Sequence, residues 1–575
     1  MRRGVSSALV VAAIALTACA PSSGARPSAS QTLDQSAAPR PASSKSLTIA
    51  LQNEPKALWT IMGGEVGGSP AAQMLLAIHQ QLAMYDERGN PFPMLATELP
   101  SPTNGTWVVR PDGTMQTTYK LRTGVSWHDG APLTADDFVF AYQVTMDPEL
   151  PIASRIVAGN IARIEAPDAS TIVIEWAKPY PLADVIAQPD LGPLPTHLLK
   201  SIYESDKEHF QRISFWGRDF VGVGPYRVVD WALGSHLVVR AYDGFYGSKP
   251  KIGTLTFRFV PDESTAIANF MAGTVDGGFR SLDFNKVMFV KEEWQRAGQK
   301  PLVIVQPTYY RTMDVQYRPE HSKLHELADV RVRRALLMAI DRQSISDAVY
   351  FGLAPVADAL IPPDDVKWDW VKDAVTSYPF DQRRAVQAMA EVGWNRGGDG
   401  NIVSSTGERV TVPLWTTQGG QWESEVDITA SNWRDIGLAV DQYIIPGPQS
   451  RDRELRAKFP GFSSTPVPFD FLRQVSGYYS PECASDQTRW AGENRGCYQN
   501  PNLDRIAGGL LTTIDPAQQR QLWRDMVKLQ TEELPGLPLY HYVQGIIFRE
   551  GVTGIKGENR PTISVTWNVA DWDVI

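Results

Sequence analysis

The sequence predicts a mixed α/β protein with more than one core, on three observations. Leu47 to Gln52 alternates as a strand does, while Ala71 to Leu82 has helical apolar spacing, so both element types occur from the start. About 530 residues follow Leu47, too many for one hydrophobic core and enough for two or three. At 43% hydrophobic and 21% charged, the chain has ordinary globular composition.

Ahead of the first strand, Arg2 and Arg3 precede a short apolar run, Val5 to Leu16, that ends Leu16-Thr17-Ala18-Cys19. The run is too short to span a bilayer. It resembles the lipobox of bacterial lipoproteins, which implies a signal peptide over 1–18 and a diacylglycerol on Cys19 as membrane anchor; the alternative is an ordinary secretory signal. Residues 19–46, rich in Ala, Ser and Pro, read as a flexible tether reaching roughly 30 Å. No later segment carries about 18 consecutive apolar residues, so the body is expected to be tethered to the outer face of the cell membrane, not embedded.

A formal net charge of -9 and the lack of any basic run argue against nucleic acid as a partner. Of three cysteines, Cys483 and Cys497 flank a polar stretch and are expected to pair as a disulfide in an oxidising compartment. Closing a loop of about 15 residues would stabilise the fold by roughly 3 kcal/mol. Two free thiols are the alternative.

Along the chain, Gly63, Gly64, Gly67 and Gly68 would let backbone approach whatever lies opposite. Thr106 to Leu121 reads as a hairpin turning at Pro111-Asp112-Gly113. A strand ends at Gly124, His128-Asp129-Gly130 makes a turn, and Thr134 is expected to cap a helix through Asp136, Asp137, Phe138, Val139 and Ala141.

The passage from Tyr119 through Trp127-His128-Asp129-Gly130-Ala131-Pro132-Leu133-Thr134-Ala135-Asp136 to Phe138 resembles the signature of extracellular solute-binding protein family 5, the oligopeptide-, dipeptide- and nickel-binding receptors of ABC importers. The likeness continues in order through Gly224-Pro225-Tyr226, Asp243 to Gly247, Thr254 to Val260, Ala272 to Asp276, Asp329 to Arg342, Gly393-Trp394, Asp399-Gly400-Asn401, Asn500 to Asp504 and Leu534 to Tyr542. The resemblance implies a two-lobed periplasmic-binding-protein-like fold of the large, cluster C type, with mixed sheets. Lobe one would take 47–279 with an extra subdomain at about 85–210, lobe two 280–544, and 545–575 would return to lobe one, so a hinge is crossed twice.

No metalloprotease, serine-hydrolase, P-loop or redox motif is present, so no catalytic residue, metal or cofactor is expected and the protein is read as no enzyme. His128 is read as structural, Asp136 and Asp137 as helix-start charges, Asp399-Gly400-Asn401 as a hairpin turn and Arg331, Arg333 and Arg334 as a solvated helix face. By resemblance, ligand contacts fall on Gly67, Gly68, Ser69, Tyr309, Tyr310, Trp415, Thr416, Gln421, Phe462, Ser464, Thr465 and Tyr540. Peptide-binding relatives carry an aspartate before a Phe-Leu pair for the peptide's α-amino group. Here Phe471-Leu472 is present, but Ser464 stands upstream and Asp470 is displaced.

The expected function is capture of a peptide or peptide-like solute by lobe closure and delivery, as a monomer, to the transmembrane subunits of an ABC permease. Alternatives are a receptor for a glycoside or metal chelate, a lipoprotein reporting its ligand to a membrane sensor, and, least favoured, a hydrolase.

Overall fold

The computed structural model describes residues 45–59, 62, 70–152, 155, 157–186, 191–558 and 564–575. The expected signal peptide, Cys19, the tether up to residue 44, and Gly63, Gly64, Gly67, Gly68 and Ser69 lie outside the described residues.

A ten-stranded mixed sheet runs through the molecule in the order Ala439–Ile445, Thr411–Thr417, Phe462–Pro468, Leu302–Val315, Gly536–Phe548, Gly277–Phe279, Ser46–Leu51, Thr254–Phe259, His236–Ala241, Tyr226–Ala232. Its two central strands are 14 and 13 residues long and antiparallel to one another. Each serves two cores. Leu302, Ile304, Ile546 and Phe548 pack with Leu47, Ile49 and Phe257, whereas Met313, Val315, Leu537 and Leu539 pack with Leu336, Leu414 and Trp433. The ladder slips between Pro307 and Tyr309, where a residue without an N–H is tolerated because the pairing is already interrupted.

A third core is built on the four-stranded sheet of Trp107–Val109, Met115–Lys120, Ile161–Asp168 and Thr171–Trp176. A fourth forms where helices Phe471–Ser476, Pro501–Thr512 and Pro516–Glu533 cover Tyr310 and Phe469.

The hairpin turns where the sequence suggests, with Gly113 at φ 84° and its N–H on the Arg110 carbonyl at 3.0 Å. The first helix, Pro70–Ile78, is shorter than its apolar spacing suggests because the Ile78 carbonyl accepts from Gly224 N at 3.0 Å. Thr134 does not cap the next helix, Asp136–Met146. The Asp137 carboxylate instead accepts from Thr134 N and Thr196 N, each at 2.9 Å, and so joins two helix starts. His128 is structural: its Nδ1 accepts from Gly222 N at 3.1 Å, and burial pulls the imidazole down to about 4.

The basic cluster departs from the expected solvated face. Arg331 is exposed and paired with Asp329, but Arg333 is only 2% exposed. Its guanidinium donates to the carbonyls of Leu534 at 2.8 Å and Glu533 at 2.6 Å, the end of helix Pro516–Glu533, and to Leu327 at 2.6 Å. Helix-end carbonyls left without intrahelical donors make that burial tolerable, a pairing that local sequence does not reveal.

Candidate functional site

Successive residues of Leu302–Val315 point to opposite faces. Towards the core of Leu336 and Trp433, Arg311 donates to Glu425 through Nε at 2.9 Å and Nη2 at 2.7 Å, and to Ser464 Oγ at 2.6 Å. Ser464 and Tyr540 both donate to the same carboxylate, and Trp422 lies over the guanidinium at 4.1 Å. Burial alone would pull Arg311 down, but Glu425 overrides it and the guanidinium is held above its ordinary value. Burial first, then Glu425, pushes the Tyr540 phenol well up. The network is closed, with every charge answered.

The opposite face is different. Tyr310 and Asp314 line a small cavity of about 30 Å³ together with Thr465, Gln474, Tyr478, Glu493, Arg495 and Gln530. A smaller one of about 10 Å³ shares Tyr310, Tyr478 and Gln530. Asp314 is 8% exposed, and among the described residues its carboxylate takes part in no hydrogen bond or ion pair. Burial pushes it up to about 6, with Glu493 adding to the rise while Arg495 and Arg456 act against it. Both amide atoms of Gln474 and Nε2 of Gln530 are buried without a partner.

One wall of this cavity comes from the loop closed by the Cys483–Cys497 disulfide, whose Cα atoms are 4.7 Å apart. Arg318 pins that loop by donating to the carbonyls of Ala484 and Ala457, each at 2.6 Å, and to that of Arg495. Gly496 is required there because a Cβ would collide with the Val315 carbonyl. From the loop, Arg495 gives Nη1 to Thr465 Oγ1 at 2.9 Å and Glu493 stands 3.4 Å from Arg473.

Of the residues read from the sequence, Tyr310 and Thr465 meet in the cavity, while Ser464 and Tyr540 belong to the Glu425 network. Phe462 is fully buried with its ring 5.5 Å from Trp433. Tyr309 is half-buried, 5.7 Å from the Tyr542 ring. The Trp415 ring lies 4.7 Å from that of Tyr443, tilted by 51°, towards the sheet edge, Thr416 is buried with an unpartnered hydroxyl, and Gln421 is half-buried in helix Gly420–Asp435. Asp314, Gln474, Gln530 and Arg495 are cavity residues that the sequence reading missed. An aspartate between Met313 and Val315, near the end of a long strand, was the one readable signal.

Residues 90–475 match the model of bacterial extracellular solute-binding proteins, family 5 Middle. The chain belongs to this family. Over 578 residues, 98% of the chain and 97% of its relative, it is 24% identical to the oligopeptide-binding protein AppA of Bacillus subtilis. The fold matches NikA from Brucella suis in complex with Fe(III)-EDTA at TM-score 0.72 and 19% identity, covering 92% of this chain and all of that one. An oligopeptide-binding protein from Thermus thermophilus complexed with a pentapeptide matches at TM-score 0.66 and 20% identity, covering 92% and 96%. The family is made up of extracellular solute-binding proteins, and the structural neighbours share a two-lobed mixed α/β fold.

Proposed function

We propose that this family 5 protein is the receptor of an ABC importer, held at the outer face of the membrane through Cys19, that captures a peptide or peptide-like solute and delivers it to the permease. The observation that carries the reading is the fold of this family, together with a polar, incompletely satisfied cavity on the long strand Leu302–Val315 within residues 280–544. Lobe one is taken as 47–279 with 545–575, and lobe two as 280–544. The middle of the two long strands would act as the hinge, near the slipped pairing at Pro307 and Tyr309. A ligand favours closure only through contacts that it gains in the closed form. Relatives named for oligopeptides, one of them nearly full-length in its match, support the peptide class.

A second reading, a receptor for a metal chelate or a glycoside, is favoured by Ser464. Its hydroxyl is committed to Arg311 and Glu425, so this position offers no free carboxylate to a peptide amine. Native mass spectrometry of the mature protein separates the two, since a peptide carrier releases masses that fragment as peptides. Release of only non-peptide solutes, with no thermal stabilisation by a random peptide library, would overturn the peptide class. Metabolic labelling with a palmitate analogue, abolished by Cys19→Ala, tests the anchor.

A further inference from the structure

We propose that residues 554–558 are a hinge strap, which fastens the strand Leu302–Val315 at Gln306 so that the lobes swing only about Pro307 and Tyr309. The inference deepens the receptor reading and rests on it for the hinge.

Three sets of contacts carry the assignment. The side-chain amide of Gln306 grips the backbone of Glu558 twice: Oε1 accepts from Glu558 N at 2.8 Å, and Nε2 donates to the Glu558 carbonyl. Glycine is required at 557, because a Cβ there would collide with Gln306 Oε1. The Glu558 carboxylate, on a side chain 3% exposed, accepts from Arg280 through Nη2 at 2.7 Å and Nε at 3.2 Å. Arg280 directly follows the strand Gly277–Phe279 and is held at φ 52°, a conformation that a residue with a Cβ keeps only where its surroundings impose it. The strap is anchored from its other side as well. Trp567 Nε1 donates to the Gly557 carbonyl at 2.9 Å, and Asn568 Nδ2 to that of Gly554 at 2.8 Å.

The place of the grip gives it a mechanical consequence. Leu302 and Ile304 pack with the core of Leu47 and Phe257, which also holds Phe279, Val552 and Ile555. Tyr309 and, on the partner strand, Tyr542 and Val543 already pack with the core of Leu336 and Trp433. Gln306 lies in that interval, one residue ahead of Pro307, where the ladder lacks a donor and then slips. A strand fastened at Gln306 and interrupted just beyond it bends at the interruption, so the closing lobes follow one path to one closed arrangement. Without the strap the bend would spread back through 304–306.

Hydrogen exchange of single backbone amides in the ligand-free mature protein tests the strap. We expect Gln306→Leu, which removes both bonds to Glu558, to speed exchange about tenfold over residues 303–306 and 544–547, as the loss of two hydrogen bonds allows. Exchange over Leu336 to Met338, in the other core, should keep its wild-type rate. Unchanged exchange over 303–306, or an equal rise in both cores, overturns the strap and leaves the receptor reading standing. If Gln306→Leu does not fold, Glu558→Gln decides by the same comparison, since it keeps the backbone bonds and removes only the charge that faces Arg280. The receptor reading fails separately, when the mature protein neither carries nor binds a solute.

Discussion

Two buried carboxylates on either side of one sheet make opposite predictions. Glu425 is answered by Arg311, Ser464 and Tyr540, so Glu425→Ala leaves a guanidinium that is 1% exposed without its counter-charge. The expected loss is about 3–5 kcal/mol, measured by urea unfolding, and Arg311→Met with Glu425→Leu together should cost less than Glu425→Ala alone. Asp314 behaves in the reverse sense. Its folded value is raised from 3.8 to about 6, so the native protein holds this proton to higher pH than the unfolded chain does. The stability that it contributes is fully present below the unfolded value and is lost as pH rises through about 6. The charges that act on it are Arg495, Arg456 and Glu493, and Arg311 from across the sheet, with Arg473, Tyr310 and Tyr478 on the cavity walls. In the ligand-free protein, wild type minus Asp314→Asn should fall in unfolding free energy between pH 4 and pH 7. A difference that stays flat over that range would remove Asp314 as an unpaired buried acid.

At the scale of elements, the disulfide loop has a structural and a site role at once. Cys483→Ser with Cys497→Ser is expected to cost about 3 kcal/mol in chemical denaturation through the loosened unfolded chain. Because Glu493 and Arg495 sit on that loop, ligand affinity should fall as well. A variant that loses stability but keeps full affinity would show that Arg318 alone fixes the wall. Much of this level was legible in sequence: strands, the hairpin at Gly113, the Asn500 and Asp329 helix starts and the cysteine pair are written in local pattern. Pairings across long separations were not. Arg333 reads as surface until a helix end some 200 residues on supplies its acceptors, and Thr134 reads as a cap until Asp137 takes the role for two helices. The site was legible to the same degree. Tyr310 and Thr465 carry a family pattern, whereas Gln474, Gln530 and Arg495 matter only because the fold brings three separate segments to one strand.

For the whole molecule, the question is what holds the lobes at their present separation. The turn at Arg88, beside the third core, reaches the segment Ile361 to Trp370 of the second half: Val366 N donates to the Arg88 carbonyl at 3.2 Å. The Arg88 charge also acts on Asp364 and Asp369, opposing the burial that raises Asp364 and reinforcing the Lys372 hydrogen bond that lowers Asp369. Leu182 packs on the helical layer around Leu510, and Ile514 on the core around Trp176. Arg88→Ala removes the charge but leaves the backbone bond, and exposed charges that form no close ion pair interact weakly. The open-to-closed ratio of the ligand-free protein should then rise by up to about fivefold, seen as a larger radius of gyration in solution scattering. Asp364→Asn with Asp369→Asn should produce the same shift, and adding Arg88→Ala to that pair should produce no more, since all three act through one contact. Additive shifts would mean that Arg88 restrains the lobes by another route, and an unchanged radius in every variant would mean that Arg88 does not restrain them.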